Sequence, residues 1–279
     1  VSVSAQITRR AKSNLAFALK ILPKDRREDM MVFYAFCRTV DDLADSPGLP
    51  AAGRARALDL WEKGLLDGFE KPTPLQKEVL ALRERQKIPT ELLVSMIDGC
   101  KMDLKPQRFE TWETLAAYIW KVACSVGLVS IRIFGCKDPG SDHYAETLGK
   151  ALQLTNILRD LGEDLANGKR IYLPLEDLAK FDYTEQNLTD RIYNEKFVAL
   201  MNFQADRAEG FFREAAAALP LSDQRALLPA KIMSEIYWTL LKKMRANRFR
   251  VFQKHYRISK VGKLVILLKQ LVAPSRSIE

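Results

Sequence analysis

Apolar residues recur along this chain at intervals of three and four, and no stretch alternates apolar and polar residues over the length of a strand. This pattern constrains the fold most, because side chains spaced that way share one face only if the backbone is helical. Residues 26–45 read as one helix, with Met30, Phe33, Tyr34, Cys37 and Val40 as its apolar stripe and Ser46-Pro47-Gly48 as its stop. The same reading predicts helices over 50–69, 74–87, 90–103, 111–134, 142–166, 189–219 and 223–255. Breaks fall at Lys71-Pro72-Thr73-Pro74, Lys87-Ile88-Pro89, Lys105-Pro106, Asp138-Pro139-Gly140 and Asn167-Gly168. Arg170–Pro174 and the stretch to about Asn187 read as loop with a short helix. With no internal repeat and no low-complexity linker, the expectation for 1–279 is an all-α single domain, a helical bundle.

Composition narrows the function classes. A chain of 279 residues that is 47 % apolar buries a sizeable core without covalent staples. Its four cysteines show no CxxC spacing, which suits a reducing, cytoplasmic setting rather than a disulfide framework. Two histidines, His143 and His255, argue against a zinc site or a Ser-His-Asp triad. Metal chemistry would then rest on carboxylate oxygens and a hard cation such as Mg²⁺. No signal-peptide pattern is present, and no apolar run approaches the roughly 20 residues that span a bilayer, so a membrane-spanning chain is not expected.

Charge is unevenly placed. The net charge is +9, yet residues 236–278 hold 11 basic side chains and no acidic one, so the whole excess is C-terminal. A basic segment running into Leu264-Val265-Ile266-Leu267-Leu268 reads either as a helix lying on an anionic membrane or as a solvated helix with some cations at an anion site. A nucleic-acid partner is not expected, since it would leave the acidic clusters described next unexplained.

Two acidic clusters carry the chemistry. In the first, Arg38-Thr39-Val40-Asp41-Asp42-Leu43-Ala44-Asp45, Asp41 and Asp45 leave one helix face a turn apart, at the end where the helix dipole disfavours anions. The second lies within Gln153-Leu154-Thr155-Asn156-Ile157-Leu158-Arg159-Asp160-Leu161-Gly162-Glu163-Asp164. There Gln153, Asn156, Asp160 and Asp164 fall within an arc of about 80° on an otherwise leucine-rich helix. Two such helices facing each other would repel without cations between them. Divalent metal at Asp41, Asp42, Asp45, Asn156, Asp160 and Asp164, completed by a substrate diphosphate, answers that repulsion. Arg38, Gln153, Asn156, Arg159, Lys169, Arg170 and the Tyr172 hydroxyl are the candidate diphosphate contacts.

At these residues the chain resembles the squalene/phytoene synthases. Tyr34 to Asp45 is similar to the first aspartate-rich motif of that family, and Leu152 to Pro174 to the second; the likeness runs roughly from Ala11 to Leu264. The resemblance implies an isoprenoid-synthase bundle around a central cavity, with the motifs facing each other and Mg²⁺ holding two prenyl diphosphates. It implies head-to-head (1′-1) condensation of two farnesyl diphosphates to presqualene diphosphate, with NADPH if the reaction runs on to squalene. The alternative it carries is phytoene synthesis from geranylgeranyl diphosphate. A third stretch, Tyr118 to Gly127, matches a family pattern whose tyrosine works beside the reacting carbons. By that match Tyr118 joins Arg38 and Arg159 as a candidate catalytic residue, and Ala123, Ser125 and Gly127 leave room for prenyl chains. Phe33, Tyr34, Phe36, Val122 and Leu148 are the expected apolar walls. A polyprenyl product also makes peripheral attachment at the cytoplasmic membrane face an expectation.

Overall fold

A computed structural model describes residues 2–10, 21–46, 48–167 and 170–272 of the chain. Among these residues every regular element is helical. In chain order they are α1 (Val3–Arg10), α2 (Lys24–Asp45), α3 (Ala51–Asp67), α4 (Pro74–Arg85), α5 (Thr90–Met102), α6 (Trp112–Ile119) and α7 (Ser125–Phe134). Then follow α8 (Gly140–Ala166), α9 (Leu175–Lys180), α10 (Glu185–Thr189), α11 (Glu195–Ala217), α12 (Leu228–Ala246) and α13 (Lys260–Val272). A π-helical turn, Trp120–Cys124, joins α6 to α7 without a break.

The core follows from the stripes. On α2 the buried set includes Met30, Phe33, Phe36 and Val40, and Phe36 meets Trp61 of α3 edge to face. The 27-residue α8 is the axis of the bundle, with Leu148, Leu154, Ile157, Leu158 and Leu161 buried against α11, α7 and the π turn. Two glycines let these elements touch. A Cβ on Gly149 would stand 2.9 Å from the Cys124 Cα, and one on Gly127 would stand 2.8 Å from the Ala145 carbonyl oxygen. Residues 149 and 145 thus lie beside 124 and 127, so α8 runs antiparallel to α7 and its Asn156 end rises toward Tyr118.

Helix boundaries follow the punctuation, with three corrections. The expected helix 189–219 starts late: α10 ends at Thr189, the chain turns through Arg191 at φ 52°, and α11 begins where the Asn194 side chain accepts from the Phe197 N–H. The expected helix 223–255 runs only from Leu228 to Ala246, because Arg248 and Phe249 both adopt φ 52°. An irregular connector follows, pinned where the Tyr256 hydroxyl accepts from the Arg250 N–H and donates to Asn247. Local periodicity gives no warning of such left-handed residues, since the apolar spacing continues across them. The third correction concerns hydropathy. Trp112–Phe134, continuous through the π turn, is long and apolar enough to cross a membrane, with a mean hydropathy of 1.6 over its most apolar window. Half of that window is buried inside the bundle, as a central helix requires.

Candidate active site

The first acidic cluster ends α2. Arg38 bridges to Asp41 at 3.2 Å and to Asp42 at 2.6 Å along its own helix, supplying part of the positive charge this C-terminus demands. Asp41 keeps 55 % exposure of its side chain, yet burial on its protein side, reinforced by Asp45, pushes its carboxyl up to about 6. Asp45 has a distant partner: Arg170, beyond the end of α8, bonds its Oδ1 at 2.6 Å.

The second cluster lies on the last turns of α8. Arg159 and Asp160 pair through two guanidinium hydrogen bonds, one of 2.7 Å, and both are largely shielded from solvent. Burial works against the Arg159 charge, but the Asp160 hydrogen bonds more than offset it and hold the guanidinium protonated. Asp164 is pushed up to about 7, first by burial and then by Asp160. The Nδ2 of Asn156 donates to Gln153 at 3.4 Å, whereas its buried Oδ1 has no hydrogen-bond partner.

Between the clusters sits Asp103, at the end of α5. Its Oδ2 accepts from Tyr118 at 2.7 Å, its Oδ1 accepts from Tyr172 at 2.9 Å, and its backbone carbonyl accepts from Arg170 at 3.3 Å. Burial raises the Asp103 carboxyl, and the two phenol hydrogen bonds pull it partly back. The Tyr118 hydroxyl is raised well above its ordinary value by burial first and by Asp103 second, so it stays a proton donor. Tyr118 and Tyr172 stack at 5.4 Å and Phe109 packs on Tyr118 at 5.3 Å, giving an aromatic wall to this junction. Asp103 contributes electrostatically to both Asp41 and Asp164, so the motifs converge on it.

An apolar cavity, partly open to solvent, lies beside this junction at Gln153 and Asn156. Gln153, Asn156 and Tyr237 line its polar end, and Val122, Leu148, Leu152 and Met233 its sides. Ser130, Phe134, Tyr144 and Pro229 line the remainder. The lining on α8 runs from Tyr144 to Asn156, about 18 Å along the helix axis at 1.5 Å per residue.

The predicted site residues are thus brought together with some differences. Asp41, Asp45, Asn156, Asp160, Asp164, Arg170, Tyr172 and Tyr118 converge on one junction, while Arg38 and Asp42 occupy its exposed rim. Lys169 lies outside the described residues. Phe33 and Phe36 do not line the cavity: both are fully buried in the core, because the α2 stripe faces inward past the site. Ser125 also leaves the lining, its hydroxyl turned back to the Lys121 carbonyl. Sequence reasoning missed Asp103, Phe109, Glu163 and His255. His255 sits with its Nδ1 2.7 Å from Glu163 and 3.8 Å from Asp160, and these three ligand atoms lie within 4.8 Å of one another, close enough for one divalent cation. No trio drawn from Asp41, Asp42, Asp45 and Asp164 alone closes so tightly. His255 lies 92 residues from Glu163 in the chain, and no spacing rule connects them.

The donor set fits a hard cation: carboxylates raised by burial and by one another, and an Asn156 oxygen buried without a donor. Residues 8–262 match the family squalene/phytoene synthase. The chain belongs to the squalene/phytoene synthase family. It is 32 % identical over 280 residues to the 15-cis-phytoene synthase of Synechocystis sp., covering 95 % of this chain and 82 % of that one. The 15-cis-phytoene synthase of Synechococcus elongatus is 33 % identical over 263 residues, covering 89 % and 85 %. A dehydrosqualene synthase crystal structure superposes with a TM-score of 0.86 at 28 % identity over 96 % of this chain and 94 % of that one. The squalene synthase HpnC from Alicyclobacillus acidocaldarius gives 0.78 at 27 % identity over 88 % and 93 %. The synthase is therefore an all-α prenyltransferase of the isoprenoid-synthase fold, built for head-to-head prenyl condensation.

Proposed function

We propose that the synthase condenses two geranylgeranyl diphosphates head to head and carries the product on to a phytoene-type C40 triene. The observation that carries this reading is the similarity to the 15-cis-phytoene synthases of Synechocystis sp. and Synechococcus elongatus, which extends over 82 and 85 % of those proteins' own length. The farnesyl reading, ending at presqualene diphosphate or, with NADPH, at squalene, has the dehydrosqualene synthase superposition in its favour.

Each part of the junction has a task in this chemistry. Ionisation of the first diphosphate separates an allylic cation from its leaving group, and the charge that develops there must be met by fixed cations. Arg159 and Arg170 are the cations that would meet it, with Arg38 at the rim, Lys169 as a further candidate, and Gln153 and the Tyr172 hydroxyl as neutral donors. Mg²⁺ bound by Asp41, Asp42 and Asp45 on one side and Asn156, Asp160 and Asp164 on the other would supply the rest of that stabilisation. Phe109, Tyr118 and Tyr172 would supply aromatic faces near the cation, and the apolar lining of the cavity disfavours water beside it. The second chain's double bond attacks, a proton leaves and a cyclopropylcarbinyl diphosphate forms. Asp103 orients the Tyr118 hydroxyl through its hydrogen bond, and the lost proton passes to the released diphosphate. A second ionisation and a second proton loss give the triene, with no reductant consumed.

Incubation with Mg²⁺ and either geranylgeranyl or farnesyl diphosphate, with and without NADPH, followed by mass spectrometry, tests the reading. The expected result is a C40 hydrocarbon from geranylgeranyl diphosphate that does not need NADPH and disappears with a chelator. A C30 product from farnesyl diphosphate with nothing from the longer substrate overturns it in favour of the presqualene route.

A further inference from the structure

Helix α13 carries an apolar stripe that no described residue covers. Val261, Leu264, Val265, Leu268 and Leu271 are 71, 49, 45, 52 and 51 % exposed. At about 100° per residue they fall within an arc of about 120°. Ile266, 6 % exposed, points to the opposite side, where α13 packs against α12. The helix is therefore seated by one face and apolar on the other. Exposed Lys260 and Lys269 fall on the two borders of the apolar arc. Exposed Arg257 precedes the helix, and no acidic residue occurs between 236 and 278. Its start is fixed, since the Ser259 hydroxyl accepts from the Gly262 N–H and Lys243 bonds the Arg257 carbonyl.

We propose that α13 docks the synthase on an anionic lipid surface, with the Val261–Leu271 stripe in the acyl boundary and Lys260 and Lys269 at the headgroups. A stripe of this width flanked by long cations is the pattern of an interfacial helix, whose lysine stems lie along the apolar layer while their ammonium groups reach the phosphates. A second copy of the chain is the poorer occupant, because two α13 helices meeting face to face would bring like charges together along both borders. A bilayer offers an apolar layer and negative charge at adjoining depths, which is the complement of what α13 exposes. The inference stands on α13 alone and does not depend on which prenyl length the synthase uses.

Flotation of the whole protein with phosphatidylcholine vesicles, and with vesicles of equal parts phosphatidylglycerol and phosphatidylcholine, tests it. The protein should float with the anionic vesicles, and more weakly as salt is raised. Each exposed leucine transferred from water to the acyl boundary is worth about tenfold in partition, so Leu264→Asp with Leu268→Asp should lower vesicle binding by at least that factor. Lys260→Gln with Lys269→Gln should remove most of the preference for phosphatidylglycerol. Leu60→Ser, on an exposed leucine of α3 far from the basic segment in the chain, should change nothing, and unaltered circular dichroism and turnover of detergent-dispersed substrate show that each variant is folded. Unchanged flotation of the Leu264/Leu268 variant overturns the proposal. So does a protein that stays off both vesicle types while the stripe variant alone loses self-association in sedimentation velocity.

Discussion

The two acidic clusters share a spacing and differ in their surroundings. On α2, Arg38 and Asp41 keep 50 and 55 % exposure and pair within one helix, so water screens the interaction and the cluster remains a rim. On α8, Arg159 and Asp160 keep only 17 and 23 %, and the neighbouring Asn156 oxygen is buried without a partner. Burial raises Asp41 and Asp164 alike, and a neighbouring carboxylate pushes each further, Asp45 for the one and Asp160 for the other. The lesson is that equal motifs are not equal sites. The α8 cluster is set up to hold charge in place, and the α2 cluster to receive it at the mouth.

The comparison breaks most sharply at the shielded side. Asp160→Asn should lower turnover by about 10³-fold or more while leaving helicity unchanged, since it removes charge at the point where the leaving group is held. Product formation beside circular dichroism measures this, and full activity would end the assignment of Asp160 to the metal and diphosphate site. Arg170→Gln should cost about 10²-fold, because it unties Asp45 from Asp103 and removes a cation between the clusters. If α2 needs no such tie, the loss will be small and Mg²⁺ titration will not shift. Tyr118→Phe should reduce turnover by about 10²-fold while Phe109 and Tyr172 keep the ring packed, and retained activity would leave the hydroxyl with a purely structural role. Ser130→Phe, at the far end of the cavity, should shift preference from geranylgeranyl toward farnesyl diphosphate by about tenfold, read from competing substrates; an unaltered ratio would separate cavity depth from chain length. Smallest of all, Arg38→Gln should change the stability of the fold by less than about 1 kcal/mol in thermal melts, the ordinary worth of an exposed pair. A larger loss would mean that the rim is as shielded as the α8 cluster.

Much of this was legible in the residues. The 3.6-residue stripe of α2, the proline and glycine breaks and the polar arc of Gln153, Asn156, Asp160 and Asp164 need only local geometry, and the structure repeats them. The wall residues were legible only in part. A buried Phe reads the same whether it faces a cavity or the core, so Leu148 and Val122 line the cavity whereas Phe33 and Phe36 do not. Asp103 stood in a plain Met102-Asp103-Leu104 context, and nothing nearby in the chain marked it as the acceptor for Tyr118 and Tyr172.

The sequence by itself determined the helices, the two clusters and the basic, acid-free segment from 236 to 278, because each follows from the order of side chains along a 3.6-residue turn. Tertiary structure decided which carboxylates are shielded, that Asp103 joins the motifs, which side chains line the cavity and that the stripe of α13 faces outward. Those properties depend on what packs against a helix from elsewhere in the chain. Gly149 against Cys124 and Arg170 against Asp45 are contacts between residues 25 and 125 positions apart, and no local pattern encodes them.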